Sequence, residues 1–146
     1  MNQRIIYTQP KGVVAVVVPA FECGLTIAEI AAKDVPAGVS ADIVDVSVIP
    51  PDRTFRNAWI KNGKAVEHDL NRAKAIAHEK RRARREILFA PHDAVIMKQI
   101  PGKDAAAAEQ ARADIRLADS LVQETIEKAT SVEKLKDALI AYGAVA

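Results

Sequence analysis

The pair Asn62-Gly63 restricts the fold of this chain more than any other feature. Asn-Gly tolerates positive φ at both central positions of a tight type I′ turn, whose twist matches that of the strands it joins. Residues 55–61 and 64–68 are therefore expected to form a β-hairpin, with Trp59 opposite Val66 and Phe55 on the same face as Trp59. Asp69 then stands at a helix N-cap, and Pro91 is expected to stop that helix after Ala90. The intervening residues include Arg72, Lys74, Lys80, Arg81, Arg82, Arg84 and Arg85. The hairpin thus hands over directly to one strongly basic helix, a joint between a sheet-forming first half and a helical second half.

Upstream, Arg4 to Thr8 and Val13 to Val18 read as strands joined across Gln9-Pro10-Lys11-Gly12, which suits a type I turn. Thr26 and Glu29 spell a capping box for a short helix that Asp34-Val35-Pro36-Ala37-Gly38 ends, with Leu25 and Ile30 at the staple positions. Asp42 to Ile49 is rich in β-branched residues and reads as a third strand, bounded by Pro50-Pro51. The expected fold class is α+β. A small β-β-α-β unit over residues 1–51 precedes a hairpin and a helical hairpin or bundle over residues 52–146.

Downstream of the basic helix, Ala94 to Ile100 reads as a short segment before the Pro101-Gly102 break. A long helix starting near Asp104 carries Ala108, Ala111, Ile115, Ala118, Val122 and Ala129 in three-four alternation, with Thr125 the polar exception. Its small residues predict a close seam against the basic helix or against a second copy of the chain. Thr130 and Glu133 predict a capping box for a last helix that turns Leu135, Leu139 and Tyr142 inward and ends before Gly143.

Aromatics make up only 4% of the chain and Ala supplies much of the apolar content, which favours thin, closely packed helices and an oligomer. No apolar run approaches the roughly 18 residues of a membrane span. The first residues lack the long apolar core of a secretion signal, and one cysteine excludes an internal disulfide. The net charge of +2 is uneven: residues 70–102 hold eight Lys/Arg against three Asp/Glu, and both flanking segments are mildly acidic. Such a run serves either a protein contact or a phosphate backbone, and the second reading is a nucleic-acid-binding accessory protein.

Catalytic and metal signatures are missing from the sequence. It contains no phosphate-binding glycine loop and no nucleophile elbow. Cys23, His68, His78 and His92 lack the close pairing that chelation on one element needs. Ser40 and Ser47 have no local motif, and Asp42 and Asp45 are explained by strand and turn polarity. The reading is a non-enzyme with no cofactor, no metal and no small-molecule substrate.

Three segments carry a resemblance: Glu22-Cys23-Gly24-Leu25-Thr26-Ile27-Ala28-Glu29-Ile30-Ala31-Ala32-Lys33-Asp34-Val35-Pro36, Asp52-Arg53-Thr54-Phe55-Arg56-Asn57-Ala58-Trp59, and the basic helix. Together they resemble small tail-region proteins of tailed bacteriophages and prophages. The half from Arg84-Arg85-Glu86 to Leu135-Lys136-Asp137-Ala138-Leu139 is also loosely similar to phage tail-fibre assembly chaperones. Their aspartate and tryptophan signature after the helix is replaced here by His92-Asp93-Ala94-Val95. The resemblance implies tail or tail-fibre proteins as partners, in the virion or in the host cytoplasm during assembly, and no catalytic residues. Candidate contact residues are Phe55, Trp59, Lys80, Arg81, Arg82, Arg84, Arg85, Ala111, Ile115, Ala118 and Val122. Phe55 and Trp59 are expected to pack on the basic helix, an exposed docking patch being the alternative.

Overall fold

The type I turn at Gln9-Pro10-Lys11-Gly12 sets the first sheet in the computed structural model, which describes residues 2–146. Gly12 N donates to Gln9 O at 2.8 Å, and Gln9 N donates to Val13 O at 2.9 Å. Gly12 takes φ 78°, the left-handed step that realigns two strands after a type I turn. Strands β1 (Gln3–Thr8) and β2 (Val14–Val17) pair antiparallel across this turn, and β3 (Ala41–Asp45) pairs antiparallel with the other edge of β1. Between them, helix α1 (Ile27–Asp34) starts on the expected capping box. Glu29 N donates to Thr26 Oγ1 at 3.3 Å, while Thr26 N donates to Glu29 Oε2 at 2.7 Å. The class is α+β, as expected.

The third strand is shorter than its β-branched run suggested. After Asp45 the chain turns into a 3₁₀ turn, Val46–Val48, because the Asp45 carboxylate accepts from Ser47 N at 2.9 Å. The local side-chain bond competes with the sheet ladder and wins.

The hairpin forms from β4 (Trp59–Asn62) and β5 (Ala65–His68), with a register two residues from expectation. Trp59 lies opposite His68, Lys61 opposite Val66, and Asn62 opposite Ala65, so Gly63-Lys64 forms the loop. Gly63 alone takes positive φ there, 58°, the sign pattern of a type II′ turn with glycine first. Phe55 precedes a 3₁₀ turn, Arg56–Ala58, and is not in the strand.

Trp59 joins Ile6, Val14 and Val44 in one buried cluster. The period of two puts Ile6, Val14 and Val44 on the same sheet face, and the hairpin covers that face. Lys61 pairs with Asp42 on it. The boundary expected at Pro50-Pro51 therefore lies elsewhere. The chain divides into compact units between Asp69 and Leu70, because the hairpin shares the core of the first sheet.

The second unit contains α2 (Leu70–Lys98), α3 (Ala105–Lys128) and α4 (Val132–Ala141). Pro91 does not stop α2 but lies inside it, and Gln99 at φ 46° ends the helix instead. Residues 92–96 are half-buried, and Asp93 meets Arg112 of α3, so tertiary contact offsets the lost backbone bond. Asp104 caps α3 by accepting from Ala106 N at 2.8 Å. The cap of α4 is Ser131, one residue beyond the expected Thr130: its hydroxyl accepts from Lys134 N at 3.3 Å. Gly143, at φ 73°, donates to Ile140 O while Ala144 donates to Leu139 O, a Schellman ending.

Candidate interaction surface on the helical unit

α2 and α3 run antiparallel, and the basic run of α2 meets α3 at Asp119. Arg81 Nη1 donates to Asp119 Oδ2 in an ion pair with both side chains about 95% buried. Arg85 Nη1 donates to the same oxygen at 3.0 Å, and Tyr142 Oη donates to Asp119 Oδ1 at 3.3 Å. One carboxylate thus receives donors from α2 and from the end of α4. An Asp left alone in such a place costs several kcal/mol, so removing its partners is far more damaging than the net value of the pair suggests.

The neighbouring cations are also used structurally. Arg84 Nε donates to the Tyr142 carbonyl at 3.4 Å, and its guanidinium lies where a Cβ on Gly143 would come within 3.2 Å. Gly143 therefore has two reasons to be glycine, its φ and this close approach. Lys74 Nζ donates to Glu127 O at 2.7 Å near the end of α3. Farther along the hairpin, Arg112 and Arg116 stand 5.4 and 5.8 Å from the Phe89 ring centre, within cation–π range. Arg112 Nε also lies 2.9 Å from Asp93 Oδ1, an ion pair whose angle misses a hydrogen bond.

These fields move two titrating groups. Burial, then the Arg81 charge, lowers the His78 pKa below its usual 6.5. Burial, then the Asp119 charge, raises the Tyr142 pKa above its usual 10.0. Among the described residues no three His, Cys, Asp or Glu side chains gather to hold a metal ion, and no helix is long and apolar enough to cross a membrane.

No family model, curated protein or solved structure matches this chain.

The expected contact residues divide into interior and exterior. Phe55 and Trp59, both residues of the first unit, are buried, so they form no exposed docking patch. The indole of Trp59 packs with sheet residues, correcting the expectation that it rests on the basic helix, and its Nε1 donates to His68 Nε2 at 3.1 Å. Arg81 is buried, Lys80, Arg84 and Arg85 are half-buried, and Arg82 is exposed. On α3, Ala111, Ile115 and Val122 are half-buried, but Ala118 is exposed. The seam steps from Ile115 to Asp119, then to Val122 and the buried Ile126. The apolar code lost its phase there because the inward residue is the acid. Asp119, Phe89 and Asp93 were missed, and Tyr142, expected inward, was not foreseen as a donor to Asp119. The signal that could have found Asp119 is an acid four residues after Ile115 on a helix folded against an arginine run.

The outward faces of the helices also carry large apolar side chains. Leu117 and Leu121 are 64% and 59% exposed, one turn apart on the side of α3 opposite the seam. Ile87 and Met97 of α2 are also exposed. Glu124 and Asp114 are exposed acids on α3 beside the leucine pair.

Proposed function

We propose that this chain is a non-enzymatic protein of the tail region of a tailed bacteriophage that binds a tail or tail-fibre component, as a virion part or as an assembly chaperone. The phage setting rests on the resemblance of residues 22–36, residues 52–59 and the basic helix. The observation that carries the binding role is the exposed Leu117–Leu121 pair. Two adjacent leucines on an outward helix face, with acids beside them, suit an apolar partner surface rimmed by Lys or Arg.

The nucleic-acid reading loses support from the same unit. Arg81 and Arg85 are committed to Asp119 and Arg84 to the Tyr142 carbonyl, leaving Arg82 as the exposed arginine of the run. Mass spectrometry of purified particles and of the cleared lysate tests the proposal. Stoichiometric recovery in particles marks a virion part. Recovery from lysate with a tail protein, lost on Leu117→Ser with Leu121→Ser, marks a chaperone. Duplex DNA binding at physiological salt would overturn both, with affinity falling by roughly 0.9 log units per log of salt for each phosphate contacted.

A further inference from the structure

The sheet face covered by the hairpin ends in a cavity of about 170 Å³, and its wall holds three arginines, Arg4, Arg53 and Arg56, beside Val16, Ile49 and Trp59. We propose that this cavity binds the carboxylate of an organic acid with a small branched apolar body. A free acid such as isovalerate offers that chemistry, and so does the C-terminus of a polypeptide ending in Val. The proposal stands apart from the function given above, since every residue of the cavity belongs to the unit ending at Asp69.

The sequence places the cations by two local rules. Strand alternation sends Arg4 to the face of Ile6, and Arg4 pairs in register with Val44. Arg56 N donates to Arg53 O at 3.1 Å, a tight turn that brings residues three apart to one side. Among the described residues no carboxylate lines the cavity. Arg4 Nη1 donates to the Gln3 carbonyl at 2.8 Å, and Asp45, whose carboxylate feels the Arg4 charge, accepts from Ser47 N at 2.9 Å. The Arg53 and Arg56 side chains have no hydrogen bond or ion pair among the described residues. Three cationic side chains line one small space, and guanidinium groups suit the flat fork of a carboxylate.

The remaining wall selects the body of the ligand. The indole N–H of Trp59 is committed to His68, so Trp59 offers the cavity only apolar ring surface. Val16 and Ile49 add aliphatic surface. A bare phosphate would gain nothing from those three side chains, whereas a branched alkyl group leaves water against them.

Trp59 is the sole tryptophan, so its emission reports on the cavity without a label. The full chain is titrated with isovalerate, isovaleramide, sodium phosphate, and acetyl-Leu-Val carrying either a free or an amidated C-terminus. Saturable change is expected with isovalerate and the free-acid peptide and not with either amide. Tighter binding of the peptide assigns the site to a polypeptide C-terminus, and tighter binding of isovalerate assigns it to a free acid. Arg53→Gln with Arg56→Gln should weaken binding at least tenfold; both side chains are exposed, so the fold is retained. Arg82→Gln, outside the cavity, should leave binding unchanged. Equal response to the amides, phosphate binding as tight as isovalerate, undiminished binding in the double variant, or no response to any ligand would each overturn the proposal.

Discussion

Asp119 is the residue on which the helical unit depends most, because Arg81, Arg85 and Tyr142 all donate to it. Asp119→Asn removes the charge while keeping the shape, and leaves Arg81 buried without a counter-ion. The expected loss is about 3–5 kcal/mol of unfolding free energy, read from urea denaturation. Arg82→Gln, next to Arg81 in sequence but exposed, should change stability by less than about 0.5 kcal/mol in the same assay. The lowered His78 pKa gives a pH dependence with a definite sign. The unfolded histidine takes up a proton near 6.5 while the folded one resists, so the unfolded state binds more protons and stability falls as pH drops below 6.5. Tyr142 acts at the other end. Its raised pKa keeps it protonated in the fold after the unfolded tyrosine ionises near 10.0, so stability falls as pH rises above 10.0. Thermal melts of His78→Gln and Tyr142→Phe should each flatten the corresponding limb only.

Among the elements, α3 separates what the sequence made legible from what it hid. Its start at Asp104, its fold back along α2 and its first inward residues, Ala108 to Ile115, follow from capping and three-four spacing. Its second half does not, since the inward position after Ile115 is Asp119 and a hydrophobic pattern cannot register a buried acid. The same blindness affected α2. Its buried residues are Ala73, Ala77 and Arg81, whereas the apolar Ala83, Ile87 and Ala90 are exposed. Pro91 and the hairpin register failed for a different reason: local propensity was overruled by contacts far away in sequence, Asp93 with Arg112 and Trp59 with Ile6. The α1 capping box, the turn at Gln9-Pro10-Lys11-Gly12 and the glycine past α4 were legible because each is decided within a few residues. A pair of substitutions tests the revised seam. Ala77→Leu overfills a site with no exposed surface and should cost about 1–3 kcal/mol, while Ala118→Leu, now outward, should leave the melting temperature nearly unchanged.

At the scale of the whole molecule, at least four of the eight Lys/Arg in residues 70–102 donate to acceptors within the chain. Asp119, the Tyr142 carbonyl and the Glu127 carbonyl take up Arg81, Arg85, Arg84 and Lys74. The basic run is thus mainly a device for holding three Ala-rich helices together when bulky core residues are scarce. Leu117 and Leu121 bear no such duty. Replacing both with Ser should keep unfolding free energy within about 0.5 kcal/mol of the parent and shift any self-association seen by sedimentation velocity toward the monomer. A large stability loss would mean that the leucines support the fold instead of facing a partner.

Pro91 gives α2 a fault line in time as well as in sequence. Without an N–H it cannot bond the Ile87 carbonyl, so the ladder of the helix lacks one rung between two otherwise regular stretches. The stretch beyond it depends on its grip on α3, chiefly through Asp93 and Arg112. It should open as a cooperative unit of its own, well before the body of the helix around Ala73 and Ala77 yields. In native-state hydrogen exchange, the amides of residues 93–98 should exchange about a hundredfold faster than those of residues 77–86, the factor carried by the roughly 3 kcal/mol of an interior proline. Releasing Arg112 by substitution should widen that gap and leave the slowest amides unmoved.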